Sequence, residues 1–168
     1  MANLLVFDCE SIGLWGETFA VGAVVVDKGT GKVLDKFELL NENLLSAAAE
    51  NKWVNEHVLP HLTDLKRCQS ARALRDGFFH FFQKHKQTSE IWVDVGFPVE
   101  TNFLATVVND DLENRFWEMP YPLRDVSNFI DINIDRITSA GLSGLRKHHP
   151  TDDALASATC YLNWLNNH

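Results

Sequence analysis

Cysteine, positive charge and long apolar runs are all in short supply. The three cysteines, Cys9, Cys68 and Cys160, lie far apart and form no C-x-x-C pair, which argues against a disulfide framework and a cysteine zinc site. Such sparse use of cysteine fits a reducing compartment, and the expected location is cytoplasmic. No stretch approaches the roughly 18 apolar residues of a membrane span. The opening residues carry no basic region, and Asp8 interrupts their apolar run, so neither an export signal nor a membrane partner is expected. Lys and Arg total 15 against 23 Asp and Glu, a net charge of −8, so affinity resting on a broad basic face is not expected. A local basic strip or bound cations remain open as ways to hold a phosphodiester.

What is present is an ordinary core inventory. Hydrophobic residues make up 45% of the 168, with eleven Phe and five Trp, which excludes wholesale disorder. A chain of this length buries about two-thirds of its unfolded surface without metal or disulfide staples. There is no internal repeat, low-complexity segment or linker, so residues 1–168 read as a single domain.

The apolar run Leu4-Leu5-Val6-Phe7 predicts a buried central strand. A valine-rich strand over 20–26, turn chemistry at Lys28-Gly29-Thr30-Gly31-Lys32 and a strand over 33–40 complete an antiparallel meander. Ala49, Trp53, Val54, His57 and Val58 fit one helical face, which Pro60 stops. Ala71, Leu74, Phe78, Phe81, Phe82 and His85 mark a longer helix with Ser70 as N-cap. Phe78, Phe79, Phe81 and Phe82 are expected in the core. Ile91-Trp92-Val93 reads as a buried strand, 99–108 as a helix with Phe103, Leu104, Val107 and Val108 inward, and 123–126 as a short strand. Residues 127–137 fit a helix or a strand, and from Asp152 a last helix carries Leu155, Ala158, Leu162 and Leu165 on one stripe. A meander followed by strand–helix alternation implies an α/β fold: a mixed five-stranded sheet, antiparallel and parallel, flanked by helices.

Three places can carry chemistry. Asp8 and Glu10, two apart at the exit of the first strand, share one side of it, and a divalent cation would relieve their repulsion. Taken alone, such acids also end strands as solvated loop starters. Glu100 opens the helix after Pro98, where an acid complements the helix dipole, and Asp94 closes the preceding strand ahead of the turn at Gly96. In His148-His149-Pro150-Thr151-Asp152-Asp153-Ala154, Thr151 or Asp152 makes a good N-cap. Asp153 falls on the inward face, and the small residues Ala154, Ala156, Ser157 and Ala158 let the helix approach the sheet. His148, titrating near neutrality, suits a general base.

An acid pair after strand one, an acid after the fourth strand and His-x-x-x-x-Asp before the final helix, in that order, resemble the DEDDh group of 3′–5′ exonucleases with the ribonuclease H-like fold. The carriers are Asp8 and Glu10 in Asp-Cys-Glu-Ser-Ile-Gly-Leu, Glu100 in Pro-Val-Glu-Thr-Asn-Phe-Leu, and His148 with Asp153 in His-His-Pro-Thr-Asp-Asp-Ala. The resemblance spans nearly the whole chain, with one departure: the second motif normally carries aspartate, and here Glu100 stands in its place. Glu100 substitutes, Asp94 supplies the ligand, or the site is weakened; the Phe-Leu spacing retained after Glu100 favours substitution.

The resemblance implies phosphodiester hydrolysis with two Mg²⁺ or Mn²⁺ ions about 4 Å apart. It assigns Asp8, Glu10, Glu100 and Asp153 as metal ligands and His148 as the base that takes the proton from the attacking water. It implies a single-stranded nucleic-acid 3′ end or short oligonucleotide as substrate, nucleoside 5′-monophosphates as products, and a homodimer as a possible assembly. Ser11, Ile12, Gly13 and Leu14, with Trp15 after them unless it belongs to the core, would pack against the terminal nucleotide, and Arg146 and Lys147 would hold the next phosphate unless they are simply a solvated pair. The rival functions are a non-catalytic nucleic-acid-binding or scaffold module with the same fold, and an unrelated metal-dependent hydrolase of a small phosphate ester. His57, His61, His80 and His85 show no metal-binding spacing.

Overall fold

Strand alternation divides the first apolar run between two cores. The computed structural model describes residues 3–130 and 144–168. In β1 (Asn3–Ser11), Leu5, Phe7 and Cys9 enter the core on one face of the sheet, and Leu4 and Val6 enter the core on the other. β2 (Thr18–Val26) pairs antiparallel with β1, and β3 (Val33–Asn41) pairs antiparallel with β2. β5 (Ser89–Val93) lies parallel to β1 on its other side, followed by β6 (Arg124–Asp125). The sheet has six strands, not five, in the order β4-β3-β2-β1-β5-β6. The addition is β4 (Arg67–Cys68), a parallel edge pair beside Leu40 and Asn41 that is too short to leave a period in the sequence.

On the first face lie α3 (Ala71–His85) and α4 (Val99–Asn109), which supply Leu74, Phe78, Phe82, Phe103, Leu104 and Val107. Ser70 caps α3 by accepting a hydrogen bond from the Ala73 amide at 3.0 Å, as its type predicts. A short α5 (Leu112–Arg115) follows α4. The opposite face is covered by α6 (Pro150–Asn167), through Ala154, Ala158, Tyr161 and Leu162. Leu165 lies outside this stripe, exposed.

Three expectations change. The helix read over 49–58 is two helices, α1 (Leu45–Glu50) and α2 (Lys52–His57), because Asn51 leaves helical geometry (φ −78°, ψ 109°) and caps α2 by accepting from the Val54 amide. The break turns Trp53 and His57 outward while Val54 and Val58 stay buried. The strand over 123–126 shrinks to β6, since the Asp125 side chain accepts from the Ser127 amide and starts a 3₁₀ turn over Val126–Asn128. The rest of the element read over 127–137 falls largely outside the described residues. Finally, α6 starts earlier than Asp152: Pro150 occupies its first turn, and His149, rather than Thr151 or Asp152, is its N-cap.

Among the described residues no helix is long and apolar enough to cross a membrane.

Candidate active site

The exit of β1 is where both helical layers meet the sheet. Asp8 and Glu10 share the side of β1 that carries Leu4 and Val6, the side packed by α6. Asp153 lies in the first turn of α6. That helix sits unusually close to β2: a Cβ on Gly22 would stand 2.2 Å from the Thr151 nitrogen and 2.4 Å from the Pro150 carbonyl carbon. Ala154, Ala156, Ser157 and Ala158 are buried along it, as small residues at a close approach must be. Glu100 comes from the other layer. It is 6% exposed in the first turn of α4, and its Oε1 accepts a hydrogen bond from the Cys9 amide at 3.3 Å.

His148 reaches the same place from the approach to α6. Its amide donates to Asp153 Oδ2 at 2.9 Å, and its φ of 60° is left-handed, a strained conformation for histidine. Glu10, His148 and Asp153 each bring one possible ligand atom, all within 4.8 Å of one another.

Gathering carboxylates in a half-dry pocket raises their proton affinity. Burial pushes Asp8 well above the ordinary range, and the negative charges of Glu10, Glu100, Asp153 and Asp94 push it further. Burial, then Asp153 and Glu100, does the same to Glu10. Burial lifts Glu100 to about 8 against hydrogen bonds that lower it, with Asp94 and Asp125 adding to the rise. Asp153 rises to about 7, chiefly by burial, and Asp94 to about 6, by burial and by Asp125. Asp94 therefore belongs to the same electrostatic neighbourhood as Glu100. His148 moves the other way: burial, then Lys147, His61 and His57, keeps it below 6.5.

This donor set fits divalent cations. Asp153 Oδ1 and Asp94 Oδ1 are buried and have no hydrogen-bond partner among the described residues. Their neighbours are hard carboxylate oxygens, which repel one another until a positive charge sits between them. The histidines at 57 and 61, which show no metal-binding spacing in the sequence, instead lie near enough to His148 to disfavour its protonation.

A cavity of about 380 Å³ opens beside the acids, lined by Cys9, Glu10, Ser11, Gly13, Leu14, Asn51, Trp53 and Val99. Ser11, Gly13 and Leu14 line this cavity, with Leu14 59% exposed. Ile12 does not; it packs against the cluster around Phe19, Val54 and Leu62. Trp53 meets the His148 ring edge-on, centroids 5.0 Å apart, while staying 51% exposed. Trp53 and Asn51 escape sequence reading because both fit one continuous helix; the capping side chain of Asn51 is the one signal against it. Arg146 is already engaged: Nε donates to Asp152 Oδ2 at 2.9 Å, and Nη1 to both oxygens of Asp64 at 2.9 and 2.8 Å. Lys147 is exposed next to His148.

Among solved structures, the nuclease domain of 3'hExo, a DEDDh family member bound to rAMP, matches 99% of this chain and 92% of its own, with a TM-score of 0.58 and 11% identity. The fold is that of a DEDDh nuclease domain. No family model and no curated protein matches the sequence. A mixed sheet with helices on both faces brings the end of β1 and the starts of α4 and α6 to a single point.

Proposed function

We propose that the chain is a metal-dependent 3′–5′ exonuclease acting on single-stranded nucleic-acid ends or short oligonucleotides and releasing nucleoside 5′-monophosphates. The convergence of Asp8, Glu10, Glu100 and Asp153 from both layers, with His148 beside them and a cavity alongside, carries the reading.

Asp8, Glu10 and Asp153 would hold the divalent cations, Mg²⁺ or Mn²⁺, with Glu100 completing the set from α4 and Asp94 nearby. When bound, such ions lower the pKa of water and stabilise charge on the departing 3′ oxygen. The protein's own groups do the rest. A His148 ring nitrogen, neutral at physiological pH, takes the proton from the water that attacks phosphorus, and the bond from phosphorus to the 3′ oxygen breaks. The hydrogen bond that the His148 backbone amide donates to Asp153 Oδ2 ties the segment bearing the base to one of the acids. Ser11, Gly13, Leu14, Asn51 and Trp53 form the walls that would seat the terminal nucleotide.

Lys147 is free to approach a phosphate, whereas Arg146 braces the loop instead. Charge on the bound cations, rather than a basic surface, accounts for how a protein of net charge −8 accepts a polyanion.

The test is digestion of 5′-labelled single-stranded RNA and DNA of matched sequence with Mn²⁺, beside Asp8→Ala. A metal-dependent ladder shortening from the 3′ end, absent in the variant, is expected. Intact substrates that nonetheless bind the protein would favour a non-catalytic module; release of phosphate from a small ester alone would favour an unrelated hydrolase.

A further inference from the structure

The residue after His148 is a second histidine, which the proposed chemistry does not use. His149 is 1% exposed, where histidines are usually only partly buried. It is also the N-cap of α6, a post that serine, threonine, aspartate and asparagine usually fill. Its Nδ1 accepts from the Asp152 amide at 3.4 Å, so the proton of the neutral ring sits on Nε2. Nε2 is buried and has no hydrogen-bond partner among the described residues. Asp64 Oδ1 lies 3.6 Å from it, just beyond hydrogen-bond reach.

These contacts close a ring of four side chains. Asp64 accepts from Arg146 Nη1 with both oxygens, and Arg146 donates from its backbone amide and its Nε to Asp152 Oδ2 at 3.0 and 2.9 Å. Asp152 returns to His149 through its amide and through Oδ1, which is 3.7 Å from Nδ1. The ring ties the chain entering α6 to the segment around Asp64. That segment is fixed in turn, because Leu62 and Leu65 on either side of Asp64 are buried in the cluster with Phe19 and Val54. Two residues beyond His149, the Thr151 hydroxyl donates to Glu38 Oε2 of β3 at 3.3 Å.

His148 sits between two anchors, Arg146 before it and His149 after it. Its φ of 60° is a conformation that persists only where the surroundings fix the chain on both sides. Relaxing it to a negative φ would move one flank or the other: His149 out of its buried site, or Arg146 off Asp152. A buried ring resists such a movement, since leaving would open a void in packed surroundings. Capping alone does not account for the imidazole. A cap needs one acceptor, and the second nitrogen, held dry beside Asp64, has no part in it.

We infer that His149 is a positioning residue: wedged between Asp64 and the start of α6, it holds His148 in the left-handed conformation in which its ring meets Trp53 and the acids. This rests on the exonuclease reading for the role of His148 as a base, and not for where the His148 ring is held.

The test is made on the full chain in His149→Ala, which removes both contacts, and in His149→Asn, which keeps an acceptor for the Asp152 amide but does not reach Asp64. Placement is read without metal or substrate, from the nuclear Overhauser contact between the His148 ring and the Trp53 indole, whose centroids lie 5.0 Å apart. Turnover is read as kcat and KM on a short oligonucleotide with Mn²⁺. In His149→Ala the contact should vanish and kcat should fall about 10²-fold with little change in KM, the pattern of a catalytic group displaced by about an ångström. In His149→Asn the melting temperature should return towards that of the wild type, while the ring contact and kcat stay low. A contact that survives in His149→Ala, or full recovery of contact and kcat in His149→Asn, overturns the positioning role and leaves a helix cap. Should His149→Ala fail to fold, His149→Asn decides by the same two readouts. If the wild type hydrolyses no oligonucleotide, the exonuclease reading fails, and the ring contact still decides the role of His149.

Discussion

Asp8 and Gly22 face each other across the antiparallel β1–β2 pair. Gly22 lacks the side chain that would collide with Thr151 and Pro150, so the start of α6 can settle beside the strand that bears Asp8. One missing methyl group thereby sets how near Asp153 and His148 come to Asp8 and Glu10. Gly22→Ala is expected to destabilise the protein by about 1–3 kcal/mol, the usual range for overpacking. Nuclease rate should fall far more than the stability loss explains, because the helix must retreat with its carboxylate. Thermal melts and initial rates on folded protein would check this; a variant with normal rates would show that the close approach is dispensable.

The crowded acids give a pH signature that needs no substrate. Glu100 near 8, Asp153 near 7 and Asp94 near 6 bind protons more tightly in the folded chain than in the unfolded one, where carboxyls titrate at about 4. The folded state then holds more protons than the unfolded state between these limits, and stability falls as pH rises through them. Metal-free protein should lose melting temperature from about pH 5 to pH 8. Mn²⁺ should restore more at pH 8 than at pH 5, since binding to the folded form alone stabilises it and requires ionised ligands. Glu100→Gln, which keeps an acceptor for the Cys9 amide but not the charge, should flatten the slope. A melting temperature indifferent to both pH and metal would contradict the cation site.

His148 should govern the acid limb of the rate profile. Its burial and its cationic neighbours hold it neutral to below 6.5, so activity should persist under that value and fall once the ring protonates. His148→Asn is the informative replacement, because asparagine tolerates the positive φ of 60° at this position. The variant should lose about 10²- to 10⁴-fold in rate and lose the limb as well. A full limb in the variant would assign it to another group.

Arg146 separates bracing from phosphate binding. If its guanidinium acts by tying Asp64 to Asp152, then Asp64→Asn and Arg146→Ala should both lower kcat several-fold with little change in KM. If it held phosphate, Asp64→Asn would release the guanidinium and lower KM. Steady-state rates on a short oligonucleotide distinguish the two.

Much of the layout is readable before any coordinates, and the reasons differ by element. Leu4 to Phe7 form an unbroken apolar run, and the Phe78–Phe82 spacing keeps a helical period, so burial on two faces and on one face respectively leaves a clear trace. The break at Asn51 leaves none beyond a single capping side chain, since Val54 and Val58 keep their helical spacing across it. β4 is too short to have a period. Among site residues, Asp8, Glu10, Glu100, His148 and Asp153 are brought to one place, as their order along the chain implies. The exposure of Trp53 and of Phe97 is not legible, because an exposed aromatic and a core aromatic are the same letter. Ile12 shows the complementary ambiguity: a loop apolar residue has two directions to point, and this one packs on the hydrophobic cluster beneath it.

Glu100 arrives from α4 on one face and Asp153 from α6 on the other, so the acids assemble only while both helices are docked. Heat or denaturant that loosens either helix would scatter them long before the strands separate. If the proposed activity holds, its rate would gauge interlayer registry, and inactivation should run ahead of the loss of secondary structure.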